Sequence, residues 1–395
     1  MKPINPVILY MRSLEIHQRP VFTYLLYGGL AVLWLLMQCV LWSIHGVTVA
    51  FDSLRYIKQA NLLAAGDFAS LKISYIVYTG LLSLSIWLGS LKWIVLLQIA
   101  VSGLAAIAMC KAAYHLSHSR LVAALTTFML VAWPDFQFWN LYIHTESLFV
   151  SVTIIVFWRV ISASKQKHYL QLLPLLLVVL LLRPNGFMVV LAMLVYFGIA
   201  WCRKRQYSLW KATTLVFVLA VGAMVLVSQL FLKDISSDFA FTNYLMSGGI
   251  IQGYGPLWVD NESTIQLKGS PLEQAVDFVL QEPGYFLKKS SLRLLYYWAQ
   301  LRPYYSLKHN LAVAFLMYPV YFLGLVAIVQ KRVPVPVLGF ILALALQLSA
   351  MVVVSAVDWD NRFILPLLPF LFLLGATGFH AVLEKLLPRS ESKKY

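Results

Sequence analysis

Long apolar runs, separated by short polar segments, dominate the pattern of this sequence. A run of about 20 apolar residues is long enough to cross the hydrocarbon core of a bilayer as an α-helix. The pattern therefore predicts an all-α polytopic membrane protein with about ten transmembrane helices. The predicted spans are 22–44, 92–113, 121–138, 146–162, 169–183, 185–202, 211–232, 311–330, 335–356 and 363–383.

One further apolar stretch, 73–90, contains two glycines and spaced Ser and Thr, and Lys72 and Lys92 bound it closely. If this stretch does not cross and the N-terminus is cytoplasmic, every short inner loop is basic, as the positive-inside rule requires. The inner segments then hold most of the 31 Lys and Arg but only Glu15, Glu384 and Glu391 among the 16 acidic residues. We therefore expect 73–90 to be a re-entrant or interfacial helix on the outer side.

Composition supports the membrane class, because 61% of the residues are hydrophobic, 12% are charged and the mean hydropathy is +0.77. Soluble domains are about half apolar and a quarter charged. The net charge of +15 follows from the basic inner loops, which also favour anionic membrane lipids. No basic folded domain for a nucleic-acid partner is predicted. The three cysteines lie in or at the end of apolar runs, so neither a disulfide framework nor a metal cluster is indicated.

The whole chain, 1–395, is predicted to form a single membrane domain with both termini in the cytoplasm. Its first outer loop, 45–91, carries interfacial helices, and a long outer loop, 233–310, is partly helical. Within the long loop, 271–300 has the pattern of an amphipathic helix that Pro283-Gly284 interrupts. The first apolar run is longer than the core of a typical signal peptide, so we expect an uncleaved first span.

The candidate chemistry lies where spans meet the outer loops, since the spans themselves carry almost no charge. Asp52 follows the first span and can act as a general base at the membrane surface. It can equally cap the predicted helix 53–64. Glu146, at the outer start of a span, has the same two interpretations, because an anion is favourable at a helix N-terminus. His144, two residues earlier, is a base, a ligand or a simple hydrogen-bonding partner.

Arg183 and Arg362 lie in short outer segments, where the positive-inside rule disfavours cations. Two arginines at the rim of a cleft that carries carboxylates would suit the capture of a phosphate group. The alternatives are that Arg183 snorkels from its span end and that Arg362 pairs with Asp358 or Asp360. Lys72, Arg293 and Arg302 are secondary candidates for binding a phosphate group. Tyr56 either belongs to an aromatic belt at the membrane interface or stacks on a sugar.

Several motifs occur together in one order along the chain. An acidic residue follows the first span, and the later motifs are HTESLF at 144–149, LLRPNGF at 181–187, EPGYFLKKSSLRLLYYW at 282–298 and DNRFILPLLP at 360–369. This order resembles the GT-C membrane glycosyltransferases, particularly bacterial relatives of the protein mannosyltransferase and aminoarabinose transferase group. The resemblance covers about 45–375, and it places the long outer loop of that family at 233–310.

The resemblance implies a sugar donor on a polyprenyl phosphate, presented at the outer face of a bacterial inner membrane. Asp52 matches the family's acidic residue that orients or deprotonates the acceptor hydroxyl. Arg183 and Arg362 match the basic residues that hold the donor phosphate, and Glu146 matches a second acidic residue whose role varies. A lone Asp52, where protein mannosyltransferases have an Asp-Glu pair, argues against a protein acceptor and favours a lipid-linked or envelope glycan.

The expected function is therefore an inverting hexosyl or pentosyl transfer with no organic cofactor, and with the need for a divalent metal left open. Two other classes fit the same membrane architecture. A transporter or flippase of lipid-linked glycans would need a polar path through the bilayer, and the spans carry little charge for one. A polymerase or ligase of preassembled glycans would share the outer location.

Overall fold

A computed structural model describes residues 20–68, 70–163, 171–206, 214, 245–260, 269 and 271–386 of the chain. These residues form α-helices, two short 3-10 turns and connecting loops, and only isolated β-bridges occur among them. The helices are α1 Pro20–His45, α2 Ser53–Ala64, α3 Ile76–Trp87, α4 Lys92–Ser117, α5 Arg120–Ala132, α6 Pro134–Phe138, α7 Glu146–Ile161, α8 Leu172–Leu182, α9 Gly186–Lys204, α10 Pro271–Gln281, α11 Pro283–Ala299, α12 Leu307–Val329, α13 Val335–Ser355 and α14 Leu368–Leu386. The 3-10 turns are Ile73–Tyr75 and Arg362–Ile364.

Five of these helices are long and apolar enough to cross a membrane: α1 from Tyr24, α4, α9, α12 and α13. Shorter apolar helices include α5, α8 and α3 with its preceding 3-10 turn. By length and composition, the chain is an integral membrane protein with an all-helical fold in the part that the structure describes. The predicted span 211–232 and much of the predicted loop 233–310 lie outside the described residues.

Helix α14 forms the centre of the described bundle, since nearly every side chain in its first three turns is buried. It packs so closely on α12 that the two backbones come nearly into contact at Gly375 and Gly378. A Cβ built on Gly378 would lie 1.8 Å from the carbonyl oxygen of Leu323, and one built on Gly375 would lie 3.0 Å from Val320. Small residues allow such close approach, which is how helices gain packing energy in a membrane.

The predicted elements and the observed ones agree in most of the first outer loop and in 271–300. Helix α2 has the predicted bounds, 53–64, and α10 and α11 divide at Pro283. The predicted span 121–138 is instead two helices, because Trp133 adopts an extended conformation before Pro134 and ends α5. The residue before a proline is disfavoured in the helical region, which explains the break.

Helix α3 lies beside only the first turns of α4. The hydroxyl of Tyr78 donates to Gln98 at 3.2 Å, and the Ile94 backbone N–H donates to the hydroxyl of Ser85 at 3.1 Å. Both contacts lie within the first seven residues of α4. The two helices are therefore antiparallel neighbours near one end of the bundle.

The two ends of the bundle differ in their charged residues. At one end, Arg332 pairs with Glu384 at 2.8 Å, and the ring of His115 at the end of α4 contacts Trp158 at the end of α7. Basic residues also lie in the last turn of α9. At the opposite end, the loops after α1, α6, α8 and α13 meet around Glu146.

Replacing Gly378 by Ala should destabilise the fold, because the added methyl group would collide with the backbone of Leu323. Overpacking of this kind costs about 1–3 kcal/mol. The measurement is the unfolding temperature of the purified protein in detergent. Gly28→Ala on α1 is the matched control, since its Cβ would meet nothing within 4 Å. Equal unfolding temperatures for the two variants would contradict the close approach of α12 and α14.

Candidate functional site

Glu146 lies at the centre of a cluster of charged side chains, and its side chain is only 1% exposed. Its Oε1 atom is 2.7 Å from Nη1 of Arg183 and 3.7 Å from Nη1 of Arg362. Its Oε2 atom accepts a hydrogen bond from Thr145 at 3.4 Å. A buried carboxylate must be paired and hydrogen-bonded to remain charged. Glu146 therefore holds the two predicted phosphate-binding arginines against one carboxylate oxygen.

Asp52 joins the same cluster through Arg362. Its Oδ2 atom is 2.8 Å from Nη1 of Arg362, and its Oδ1 atom is 3.3 Å from Nη2 of Arg55. Asp52 occupies the N-cap position of α2, but its side chain makes no capping hydrogen bond. The capping interpretation is thus not supported, and the carboxylate faces the arginines instead.

The pKa of the Asp52 carboxyl lies below its usual value. Burial alone would raise the pKa, but the guanidinium groups of Arg362 and Arg55 outweigh burial and favour the charged form. Asp52 is therefore ionised at neutral pH. It can accept a proton only when its contact with these arginines weakens, or when the group that gives up the proton becomes much more acidic.

Arg362 connects three carboxylates. Besides Asp52 and Glu146, its Nε atom is 2.9 Å from Oδ1 of the fully buried Asp358. Burial lowers the pKa of Arg362, but Asp358, Glu146 and Asp52 raise it by a larger amount, so its net pKa is raised. Asn361, in a left-handed conformation with φ of 58°, turns the chain just before the 3-10 turn that carries Arg362. Asn tolerates this conformation better than most residues.

The cluster contains equal numbers of acidic and basic groups. The carboxylates are Asp52, Glu146 and Asp358, and the guanidinium groups are Arg55, Arg183 and Arg362. With all of them ionised, the formal charges cancel. Asp358 differs from the other carboxylates because burial raises its pKa by more than Arg362 lowers it, which favours the protonated form.

Aromatic rings and His144 form one wall of the cluster. The ring of Tyr56 packs edge-on against Tyr75, Tyr78 and His144, with centroids 5.2 to 5.9 Å apart. The Nε2 atom of His144 is 2.8 Å from the carbonyl oxygen of Ala50, and its Nδ1 atom is 3.5 Å from Oε2 of Glu146. His144 therefore spans the gap between the chain segment before Asp52 and the carboxylate of Glu146.

Arg293 is fully buried on α11, apart from this charged cluster, where it binds backbone carbonyl groups. Its guanidinium donates to the carbonyl oxygens of Val353 and Val354 at the end of α13 and to those of Ser247 and Gly249. These bonds tie the 245–260 segment to α13. These contacts support a structural role for Arg293, and the phosphate-binding role that the sequence predicts stays a prediction.

Arg302 and Lys72 lie next to the cluster rather than inside it. The Nη2 atom of Arg302 donates to the carbonyl oxygen of Asp358 at 3.0 Å, so it supports the loop that carries Arg362. Lys72 precedes the 3-10 turn that contains Tyr75, and its backbone N–H donates to Gln59 at 2.9 Å. The phosphate-binding role of both residues stays a prediction.

Arg55 and Asp358 belong to the cluster, although the sequence predicted neither as a site residue. Arg55 is three residues after Asp52 on a helix, a spacing at which side chains meet. It also packs over the rings of Tyr56 and Tyr75 at 5.3 Å from each centroid. Asp358 is four residues before Arg362, and the sequence indicated it only as a partner of that arginine. The signal for both residues was the local spacing.

A second, more exposed group of side chains lies on the other side of the 356–362 loop. Trp359 contacts the ring of Phe51 at 4.6 Å, and Phe51 directly precedes Asp52. Asp360 accepts a hydrogen bond from Tyr305 at 2.6 Å. Phe51 has a φ of 48°, an uncommon conformation for a bulky residue. The loop thus directs Asp358 and Arg362 to the charged cluster while Trp359 packs on Phe51.

Within the described residues, no group of three or more His, Cys, Asp or Glu side chains is arranged to hold a metal ion. The carboxylates of the cluster are each paired with a guanidinium group. Metal dependence stays open.

Comparisons with protein-family models, with curated proteins and with solved structures find no match to this chain. The resemblance to GT-C glycosyltransferases therefore continues to rest on the order of its motifs.

Replacing Glu146 by Gln should destabilise the protein strongly, because Arg183 would remain buried without its carboxylate partner. Breaking a buried ion pair in this way costs about 3–5 kcal/mol. The matched control is Glu384→Gln, which breaks an exposed pair of similar length and should cost about 0–1 kcal/mol. Unfolding temperatures in one detergent provide the comparison, and a loss for Glu146→Gln no larger than the control would show that the cluster is not a buried network.

The contribution of Asp52 to stability should depend on pH in a defined direction. Its folded-state pKa is depressed, so its contribution is present above the unfolded-state pKa and is lost as the pH falls through the folded-state pKa. The difference in unfolding temperature between the wild type and Asp52→Asn should be constant above about pH 5 and shrink below it. A difference that grows on acidification would contradict the Asp52–Arg362 contact.

Proposed function

We propose that this protein is a GT-C type glycosyltransferase that moves a sugar from a polyprenyl-phosphate donor to an acceptor hydroxyl at the outer membrane face. The observation that carries the proposal is the single contact network joining Asp52, Arg362, Glu146 and Arg183. The residues predicted separately as base and as phosphate ligands are direct neighbours in that network, although they are far apart in the sequence.

The proposed topology has ten spans with both termini in the cytoplasm of a bacterium and the charged cluster facing outward. Nine spans correspond to α1, α4, α5 with α6, α7, α8, α9, α12, α13 and α14, and the tenth is the predicted span 211–232. Helix α3 stays on the outer side, which its contacts with only the first turns of α4 support. The basic residues at the opposite end then face the cytoplasm, in keeping with the positive-inside rule.

In the proposed reaction, the acceptor oxygen attacks the anomeric carbon of the donor from the face opposite the phosphate. The new C–O bond forms as the bond from the sugar to the phosphate oxygen breaks, and the phosphate leaves with the bonding electrons. Arg183 and Arg362 stabilise the charge that develops on the phosphate. Asp52 takes the proton of the acceptor hydroxyl. The configuration at the anomeric carbon is inverted.

Arg362 gives this mechanism a way to control its base. In the structure Arg362 is bound to Asp52 at 2.8 Å. A donor phosphate that competes for the same guanidinium would weaken that contact and leave a carboxylate oxygen of Asp52 available to the acceptor. The base would then become effective only after the donor has bound, which would limit hydrolysis of the donor by water.

The proposed acceptor is a lipid-linked or envelope glycan. Phe51 is 66% exposed and packs on Trp359. Phe51 directly precedes Asp52, and Trp359 is three residues before Arg362. A sugar ring that packs on these two rings would bring its hydroxyl groups towards Asp52. Aromatic rings with polar groups at their edges suit ligands that have both apolar and hydroxyl faces.

A transporter or flippase of lipid-linked glycans remains the alternative from another class. It would require ionisable or polar groups along a path through the bilayer. The charges that the structure describes gather at the two ends of the helices, which favours the enzyme. A glycan polymerase or ligase is the third candidate, and the number of sugar units transferred in each reaction distinguishes it.

The decisive experiment is transfer from a polyprenyl-phosphate sugar by the purified protein in liposomes. Asp52→Asn should lower turnover by a factor of about 10²–10⁴, the range for loss of a general base. Asp67→Asn is the matched control, because Asp67 lies in the same loop and accepts a hydrogen bond from the Ser70 hydroxyl at 3.2 Å. Wild-type turnover in Asp52→Asn would refute the assigned base.

The same liposomes separate the two classes of function. Both the position of the labelled sugar across the bilayer and its covalent attachment are followed with time. Movement of the intact lipid-linked sugar with no new glycosidic bond would replace the enzyme by the transporter.

A further inference from the structure

A groove lies between α1, α4 and α5. It begins at the end of these helices that is away from the charged cluster, and it extends along α4 to Ala100 and along α5 to Val131. Its volume is 720 Å³, within the range of about 300–1,000 Å³ for small-molecule sites. Most of its lining is apolar, and its charged residues are both at one end. Its lining includes Tyr27, Trp34, Gly103, Lys111, Tyr114 and Arg120.

The groove exists because α4 presents small residues where α1 passes it. Ala100, Gly103 and Ala106 lie on the groove side of α4, and the six-membered part of the Trp34 ring rests over Gly103. Helix α1 packs mainly on α5, and only 11% of its apolar window is buried inside the protein. An apolar ligand in the groove would therefore cover part of α1 as well as α4.

The polar end of the groove is cationic. Lys111, near the end of α4, and Arg120, at the start of α5, both line it, together with the hydroxyl-bearing Tyr27 and Tyr114. Arg120 is at the helix end where the backbone dipole is unfavourable for a cation. Among the groove-lining residues there is no carboxylate. The occupant that matches this charge pattern is an anion with an apolar tail.

The length of the groove restricts the tail to one leaflet. Ala100 and Lys111 mark its apolar and cationic ends on α4, and at 1.5 Å per residue they are about 16 Å apart. Half of a hydrocarbon core of about 30 Å is about 15 Å. One acyl chain of a lipid with its headgroup at Lys111 would fill this distance.

The Lys111 end of the groove is also far from the charged cluster. On α4, Gln98 donates to the carbonyl oxygens of Asn140 and Tyr142, in the loop that leads to Glu146. Lys111 is thirteen residues further along the same helix, about 20 Å away. A lipid phosphate at Lys111 would therefore occupy a different leaflet position from any phosphate at Arg183 and Arg362.

We propose that this groove binds one acidic glycerophospholipid, with its phosphate between Lys111 and Arg120 and one acyl chain between α1 and α4. The site is independent of the proposed glycosyl transfer. Its occupancy would fix α1 against α4, and α1 contacts the end of the bundle that carries the charged cluster through Gln38, which donates to Gln137 at 2.8 Å. Acidic lipid should thus raise the unfolding temperature of the protein.

The test uses the full chain in nanodiscs of phosphatidylcholine and phosphatidylglycerol, analysed by native mass spectrometry after release. The wild type should retain one phosphatidylglycerol in preference to phosphatidylcholine. The Lys111→Gln/Arg120→Gln variant should lose at least ten-fold of this preference. The matched control is Arg203→Gln/Lys204→Gln, which removes two exposed charges at the same end of the bundle and should keep the preference.

A second variant tests the apolar part of the groove. Ala100→Phe would fill the end that is remote from the cations, so it should reduce retention of the lipid with no change in charge. Unfolding temperatures with and without phosphatidylglycerol provide a further readout. The lipid-dependent increase should disappear in both groove variants and persist in the control.

Three outcomes would overturn the proposal. Equal retention of the two lipids by the wild type would remove the anion preference. Equal loss in the control would make the binding a general surface effect. If nanodiscs that also contain a polyprenyl phosphate show retention of that lipid alone, dependent on Lys111 and Arg120, the groove belongs to the donor chain instead.

Discussion

A carboxylate that is almost completely withdrawn from solvent governs the end of the bundle at which the candidate site lies. Glu146 retains its charge because polar partners surround it, among them Arg183, Arg362 and Thr145. Each of these partners is supplied by a different part of the chain: the end of α8, the turn before α14 and the loop after α6. Satisfying one buried charge thus fixes three connections relative to each other, since an unpaired ion in such a place would cost several kcal/mol.

The helices were largely predictable from the sequence, whereas the contacts of individual arginines were only partly so. The sequence indicated Arg183 and Arg362 because they break the positive-inside rule, and in the structure both contact the carboxylate of Glu146. Arg293, a secondary candidate in the long outer loop, binds the carbonyl groups at the end of α13. Whether a buried guanidinium meets a carboxylate or a row of carbonyl oxygens depends on long-range packing, which a local pattern does not contain.

Two other differences have local causes. The extended conformation of Trp133 and the proline after it divide a stretch that hydropathy alone treats as one span, because apolar content does not register backbone geometry. Arg55 was not predicted because a cation in an outer amphipathic helix is ordinary in composition. It belongs to the cluster because Asp52 contacts both Arg55 and Arg362. An aspartate that caps a helix and one that belongs to a site look identical in the sequence, and they differ only in what the side chain contacts.

The balance of charges in the cluster has a consequence for any ligand. An arriving anion cannot simply add to a neutral set of three carboxylates and three guanidinium groups without leaving a negative surplus in a poorly solvated place. It must displace a carboxylate from its arginine, bring a cation, or be accompanied by a proton. The contact between Asp52 and Arg362 is the most accessible place for such an exchange, because Asp52 is more exposed than Glu146 or Asp358.

The contact of Gly378 with the backbone of Leu323 has a mechanical consequence. Two helices that touch through their main chains leave no layer of side chains that can rearrange between them, so we expect α12 and α14 to move as one stiff unit. Movements that admit or release the proposed lipid-linked donor would then fall to helices at the periphery of the bundle. Helix α1, with its thin cover of protein, is the part of the described bundle best able to swing outward.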